Sequence, residues 1–580
     1  MRQLFLFAAL TLHTVAVYSQ TAAPGATPGP AGNNLEQRKN ELLVELQALE
    51  ADSSNLLQPL ALASAKINIA KAAWALDREL AKRLLRESLN LTLPPEQERA
   101  RLRERPAGTG LPRTPPTGVE RLRSVIRFRA LEAANRDRAF GEELTELLTR
   151  AMGESEAQRG YSSLAYQEAK DGKVADAVGH LRKAFGSDPT QANFLDAFQE
   201  IANRDRQAAD ALALQYIDVI RAMNLTRDDP RAGWASFMLD DLVFGPLMTR
   251  GSEPVAGPAV VRAWVAYSLD MVSRLDAAAL QSGSVRLRLR SIWGPLQTSA
   301  PELKSRFLEL EARSRRPGEK VLLPEVSLKE DYRQRDEARA KEALNSDRPD
   351  ARTVRLLIAR GEFDRARSLL GRMDEGDEKA RLAELVNSRE AISLARKGDT
   401  AGALRRAREL RRTASLLEVY PLIIDKCSAG KDKQCVTDSA NQAVLHVKDA
   451  DPQAFKPPAG IPASVFPNEK ESDPAVRFLG GLAKAVAPFN ESLAFDVLGE
   501  YAQAANRSKV ETEQGYDLVE GDVFIKLAPV NQEQAHQVAY TLKDRPSRIA
   551  ALAGLIEWKG QELTKNAGKS GGRARPGGAP

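Results

Sequence analysis

Two cysteines, Cys427 and Cys435, are the whole thiol inventory of this 580-residue chain. Beyond the apolar N-terminal stretch the histidines are His180, His446 and His536, far apart in sequence. Two thiols and three scattered imidazoles do not make a metal-ligand set, so no metal centre is expected. No His-Glu-x-x-His helix, Gly-x-Ser-x-Gly elbow or phosphate-cradling Gly loop occurs. Gly108-Thr109-Gly110 is followed by prolines rather than by a helix start, which fails the dinucleotide-binding context. The expectation is no catalytic residue, no cofactor and no metal, hence not an enzyme. The chemistry expected of the cysteines is oxidation to a disulfide, with two reduced thiols serving as small core residues as the alternative.

Carboxylates and arginines need separate weighing. Glycoside hydrolysis needs two carboxylates converging on a cleft. Asp240-Asp241, set in the apolar run from Phe237 to Phe244, is the one acidic pair in such surroundings. A helix end exposing both acids is the favoured alternative. Arg286, Arg288 and Arg290 alternate with Val285, Leu287 and Leu289 as in an amphipathic strand, yet Val285, Leu289, Ile292 and Leu296 fit a helix equally well. A solvated arginine face is expected there. His180 lies beside the core stripe of its segment and reads as an exposed surface histidine.

The elements that must position these groups are helical hairpins. Around Gly172, small or apolar residues fall at −7, −3, +5 and +9, namely Ala165, Ala169, Ala177 and Leu181. That spacing describes two helices packed face to face, a unit that buries its apolar side only by stacking on neighbours. It recurs around Leu76 (Ile69, Ala73, Ala81, Leu85), Gly361 (Val354, Ile358, Ala366, Leu370) and Gly398 (Ala391, Ala395, Ala403, Ala407). It returns around Phe489 (Leu482, Val486, Ala494, Leu498) and Val530 (Val523, Leu527, Ala535, Ala539). With Gly430 as a further turn, Cys427 takes −3 and Cys435 takes +5, equivalent to Ala169 and Ala177. Helices that approach closely at that pair bring the Cα atoms within the roughly 4.4–6.8 Å a disulfide requires.

At 580 residues the chain exceeds one ordinary core. Its 43% hydrophobic and 28% charged residues are ordinary for a soluble protein, and Ala, Leu, Arg and Glu favour helix. Residues 1–19 read as a signal peptide: Arg2, an apolar run from Leu4 to Val17, and cleavage after Ser19. A periplasmic or secreted protein is expected, and an oxidising compartment would preserve the disulfide. No other segment reaches the length of a membrane span. The net charge is +6, with Lys565, Lys569, Arg573 and Arg575 concentrated in the last residues. The body is therefore near neutral, which argues against nucleic-acid binding and leaves the tail a weak contact with anionic surfaces.

The expected organisation after the signal peptide is a disordered linker over 20–34 and a helical repeat region over 35–323. Central repeats follow over 324–448, a Pro-rich insertion over 449–474, C-terminal repeats over 475–562 and a basic disordered tail over 563–580. Repeat spacing fades between Arg231 and Leu323, where an irregular helical region is expected. Phe455, Ile461, Val465 and Phe466 make the Pro-rich insertion apolar enough to lie across the array as a strap or groove filler, with a mobile linker as the alternative.

Tyr161, Leu164, Ala165, Gly172, Ala177, Leu181, Ala184 and Pro189 stand where a tetratricopeptide repeat places its aromatic, small and proline residues. The segment resembles that family over about one repeat. The resemblance implies an all-α fold, an α-solenoid that binds a protein or peptide partner, and no catalysis. The functional expectation is an exported protein that binds or scaffolds other macromolecules. Alternatives are an envelope polysaccharide-acting enzyme with its cleft in 231–323, and a structural spacer.

Overall fold

Aspartate or asparagine recurs just ahead of helix after helix. Asp77, Asp137, Asp205, Asn490 and Asn531 each accept the N–H of the residue three further on, at 2.9–3.3 Å. Each satisfies a donor that the first turn of a helix leaves orphaned. The computed structural model describes residues 31–104, 118–185, 194–225, 230–244, 255–315, 338, 351–411, 413–449 and 473–571, and no strand occurs among them. The fold is all-α, built from helical hairpins packed side by side.

The first half opens with α1 (Ala31–Ser53), α2 (Pro59–Ala73), α3 (Arg78–Thr92), α4 (Glu96–Glu104), α5 (Gly118–Ala134) and α6 (Arg138–Met152). It continues with α7 (Glu154–Lys170), α8 (Val174–Phe185), α9 (Leu195–Arg204), α10 (Arg206–Ala222) and α11 (Pro230–Phe244). α12 (Pro258–Ser273), α13 (Ala277–Leu280), α14 (Gly283–Ser299) and α15 (Lys304–Ser314) close it. The second half holds α16 (Ala351–Ala359), α17 (Phe363–Gly371), α18 (Asp377–Arg396), α19 (Thr400–Ala407), α20 (Thr413–Ala429) and α21 (Lys433–Asp449). It ends with α22 (Pro474–Val486), α23 (Glu491–Arg507), α24 (Gly521–Leu527), α25 (Gln532–Thr541) and α26 (Arg545–Gly571). α1 begins inside the expected linker, and α26 carries helix to Gly571, into the expected tail. The signal peptide and the insertion's apolar residues lie outside the described residues.

The spacing rule holds in the core. All the small and apolar residues named at the Gly172, Gly361, Gly398, Leu76, Phe489 and Val530 turns are buried. The register at the cysteine hairpin is one residue off. Gly172, Gly361 and Gly398 have φ of 82°, 75° and 87°, and the residue with left-handed φ in the fourth turn is Lys431, at 55°, rather than Gly430. Backbone bonds give the same alignment: Lys173 donates to the Glu168 carbonyl, Glu362 to Leu357, Asp399 to Leu394 and Asp432 to Cys427. These are the six-to-one bonds that close a helix through a left-handed residue. Cys427 and Cys435 therefore occupy −4 and +4. The equivalents of Ala169 and Ala177 are Ser428 and Val436, of which Val436 is fully buried.

The C-terminal helix is apolar on more than one face, and it lies between two cores. Ile549, Ala553 and Ile556 join Leu42, Leu46 and Ile67 of α1 and α2 in one apolar cluster. Ala551 and Leu555, on another face, join the cluster of α18 to α25. Chain ends hundreds of residues apart thus share a core, and α26 is the element that joins them.

Candidate functional site

The groups singled out from sequence are distributed rather than gathered into one centre. Cys427 and Cys435 face each other across the α20–α21 hairpin with Cα atoms 5.6 Å apart and their sulfurs bonded. The Cα separation falls in the range a disulfide needs even though the hairpin register is displaced by one. Asp432 caps the second helix by accepting the Cys435 N–H at 3.0 Å, which fixes the start of that helix.

His180 is a correction. It is 1% exposed rather than a surface residue. Its Nδ1 lies 2.6 Å from Glu168 on α7 and its Nε2 2.8 Å from Glu142 on α6. The ring stacks on Tyr161, with centroids 5.9 Å apart. Two carboxylate acceptors call for a ring with both nitrogens protonated. Burial opposes that charge, but the bonds from Glu168 and Glu142 outweigh it and hold the His180 pKa above its ordinary value. The His180 bond in turn lowers the Glu142 pKa. Arg138 approaches Glu168 at 3.7 Å and Lys183 approaches Glu142 at 3.9 Å, so the acids are neutralised from two sides. With His180 and Glu168 buried and Glu142, Arg138 and Lys183 at its partly exposed rim, the cluster is an ionic clamp across three helices. Its sequence signal was the pairing of an inward His with acids on the two preceding helices, which needs the helix rotation to be known.

The Asp240 expectation changes as well. Asp241 is buried, so this is not a helix end exposing two acids. Asp240 accepts the Trp264 indole N–H at 3.0 Å and two bonds from Arg288 at 2.5 and 2.7 Å. Arg288 also lies over the Trp264 ring, 4.9 Å from its centroid, and donates to Ser268 at 3.0 Å. The arginine run is helical, and its middle member turns inward instead of joining a solvated face. Asp240 is thereby committed to α12 and α14. His446 accepts from or donates to the Tyr420 hydroxyl at 2.9 Å, and burial with the nearby Lys559 charge lowers the His536 pKa. Among the described residues no group of three or more His, Cys, Asp or Glu could hold a metal ion. No helix among them is long and apolar enough to cross a membrane.

Two features escaped the sequence. At the α26 junction Arg129 binds Asp517 and donates to Asn68 and Ser64, both at 3.0 Å. Burial brings the Arg129 pKa down to about 10. Around this pair, Arg136 bonds Glu557 at 2.9 Å and Lys559 bonds Glu45 at 3.2 Å. Gly515, at φ +105°, presses its backbone against Leu60, where a Cβ would lie 2.7 Å from the Leu60 carbonyl carbon. The second feature is a groove of about 390 Å³ between α20 and α22. Leu417, Pro421 and Ile424 form one wall, and Phe478 and Leu482 the other. Asp425 and Arg477 add one charge to each side.

No family model matches this chain, and no curated protein matches it. One solved structure is described as a "Circular tandem repeat protein with novel repeat topology and enhanced subunit contact surfaces". It is 16% identical and covers 90% of this chain and 100% of its own, with a TM-score of 0.14.

Proposed function

We propose that this is an exported helical-repeat protein that binds or scaffolds other macromolecules in the cell envelope or outside the cell, with tetratricopeptide-like hairpins as its unit. The observation that carries this reading is the side-by-side row of first helices. α2, α5, α7 and α9 pack in succession, as do α18, α20 and α22. Such a row offers an extended surface whose exposed residues are free of the core. Phe128 and Val125 on α5 and Tyr166 on α7 are exposed, and the apolar groove lies between α20 and α22. The engagement of Asp240 by Arg288 and Trp264 favours binding over polysaccharide hydrolysis, since those bonds tie its carboxylate to α12 and α14 instead of presenting it to a cleft.

Affinity capture with the full chain from envelope extracts tests the reading. A specific protein partner retained through a salt wash is the expected result; elution of everything with the ionic contacts argues for a spacer. Export is tested by intact mass of protein recovered outside the cytoplasm, expected to begin at Gln20.

A further inference from the structure

We infer that the α20–α22 groove receives an amphipathic helix of a partner protein, basic on the flank that meets α20 and acidic on the flank that meets α22. This deepens the binding reading above and rests on it. The groove is open: Pro421 and Gly481 are exposed, while Ile424, Phe478 and Leu482 are buried along its sides. Leu417, Pro421 and Ile424 follow one another at four and three residues, and Phe478, Leu482 and Ala485 repeat that spacing on the facing helix. Two parallel ridges of this kind leave a furrow that the i, i+3, i+4, i+7 face of a third helix fills.

Charge complementarity selects the occupant. Asp425 and Arg477 are both exposed, and among the described residues neither makes an ion pair. The α20 wall therefore offers a carboxylate and the α22 wall a guanidinium. A helix with Lys or Arg on one flank and Asp or Glu on the other meets both, and the two charges set its direction along the furrow. A helix with the same charge on both flanks places one like-charge pair against a wall.

The probe is a fluorescein-labelled, designed amphipathic helical peptide with a Leu face, Lys on one flank and Glu on the other. Its controls carry Lys on both flanks or Glu on both. Fluorescence anisotropy with the full chain is expected to favour the mixed peptide over either control by about tenfold or more. Asp425→Lys makes both walls basic and is expected to move the preference to the Glu-flanked control. Gly481→Phe fills the furrow; a Cβ at Gly481 meets nothing within 4 Å, so the melting temperature should hold while binding is lost. Equal binding of the mixed peptide and its same-charge controls, or binding indifferent to Gly481→Phe, overturns the inference. Binding that emerges only after deletion of 450–472 assigns the furrow to the chain itself and also overturns it, as does a concentration-dependent dimer abolished by Gly481→Phe. Partner capture that survives Gly481→Phe leaves the broader binding reading standing while removing the groove; no capture by either chain removes the broader reading.

Discussion

Ser64 and Asp517 are 453 residues apart in the chain and joined by a hydrogen bond of 2.6 Å. The same carboxylate holds Arg129, so one acid ties α2 and α5 to the loop between α23 and α24. Asp517→Ala leaves a largely buried guanidinium without its counter-ion. With the acid about a third exposed, solvent moderates the loss, which should be about 1–3 kcal/mol. Denaturant melts of the single and double variants at Arg129 and Asp517 measure the coupling. Additive effects would show that the pair does not hold the junction.

His180 should make stability depend on pH in a defined window. Its folded pKa is raised, so its contribution is fully present below the ordinary value of 6.5 and lost as pH rises through the folded value. The Glu142 pKa is lowered, so its contribution is present above the ordinary 4.5 and lost as pH falls through the folded value. Between those two ordinary values the clamp with Glu168, Arg138 and Lys183 is at full strength. His180→Ala leaves buried Glu168 with only the longer Arg138 contact and should cost about 2–4 kcal/mol, with a flatter pH profile above 6.5. Thermal melts across pH check both; an unchanged profile would remove His180 as the titrating group.

Cys427 and Cys435 should resist alkylation in denatured, unreduced protein and take two labels only after reduction. Their short loop limits the stabilisation to about 2–3 kcal/mol. Mass spectrometry of the denatured, unreduced protein decides the redox state, and a double Cys→Ser melt gives the magnitude.

Lys431 adopts a left-handed conformation that costs an L-residue about 1–2 kcal/mol. Lys431→Gly relieves that strain against a smaller loss of unfolded-state restriction, and should stabilise by about 0.5–1 kcal/mol. The neighbouring Gly430→Ala should not destabilise through φ, because Gly430 is not among the positive-φ residues. Chemical denaturation of the two variants separates the registers.

Asp240→Asn weakens the bonds to Arg288 while keeping the shape of the side chain. The expected loss is about 1–3 kcal/mol in a melt. Hydrolysis of envelope polysaccharide by the wild type, abolished in this variant, would reinstate the enzyme reading.

The hairpins, their buried alanines and their turns were legible in the sequence because helix periodicity, capping and left-handed closure are decided within a few residues. Ala165, Ala177, Ala403 and Ala535 were placed in the core by spacing alone. One turn was misread at Gly430 because glycine is the usual left-handed residue, and here Lys431 takes that role against its own preference. The apolar surround of Ile549 to Trp558 also carried a signal, since a helix apolar on several faces needs more than one partner.

Which partner each face would meet was not in that signal. Spacing shows that His180 lies near the core stripe, but helix rotation decides whether the ring reaches Glu142 and Glu168 or water. The meeting of Ser64 with Asp517, and of α26 with α1 and α2, depends on the summed translation and twist of every intervening repeat. Small differences in helix packing and loop length accumulate along such an array. Local chemistry therefore determined the units, and only the tertiary structure decided that the two ends of the chain share a core, because that position is the product of all the packing angles between them.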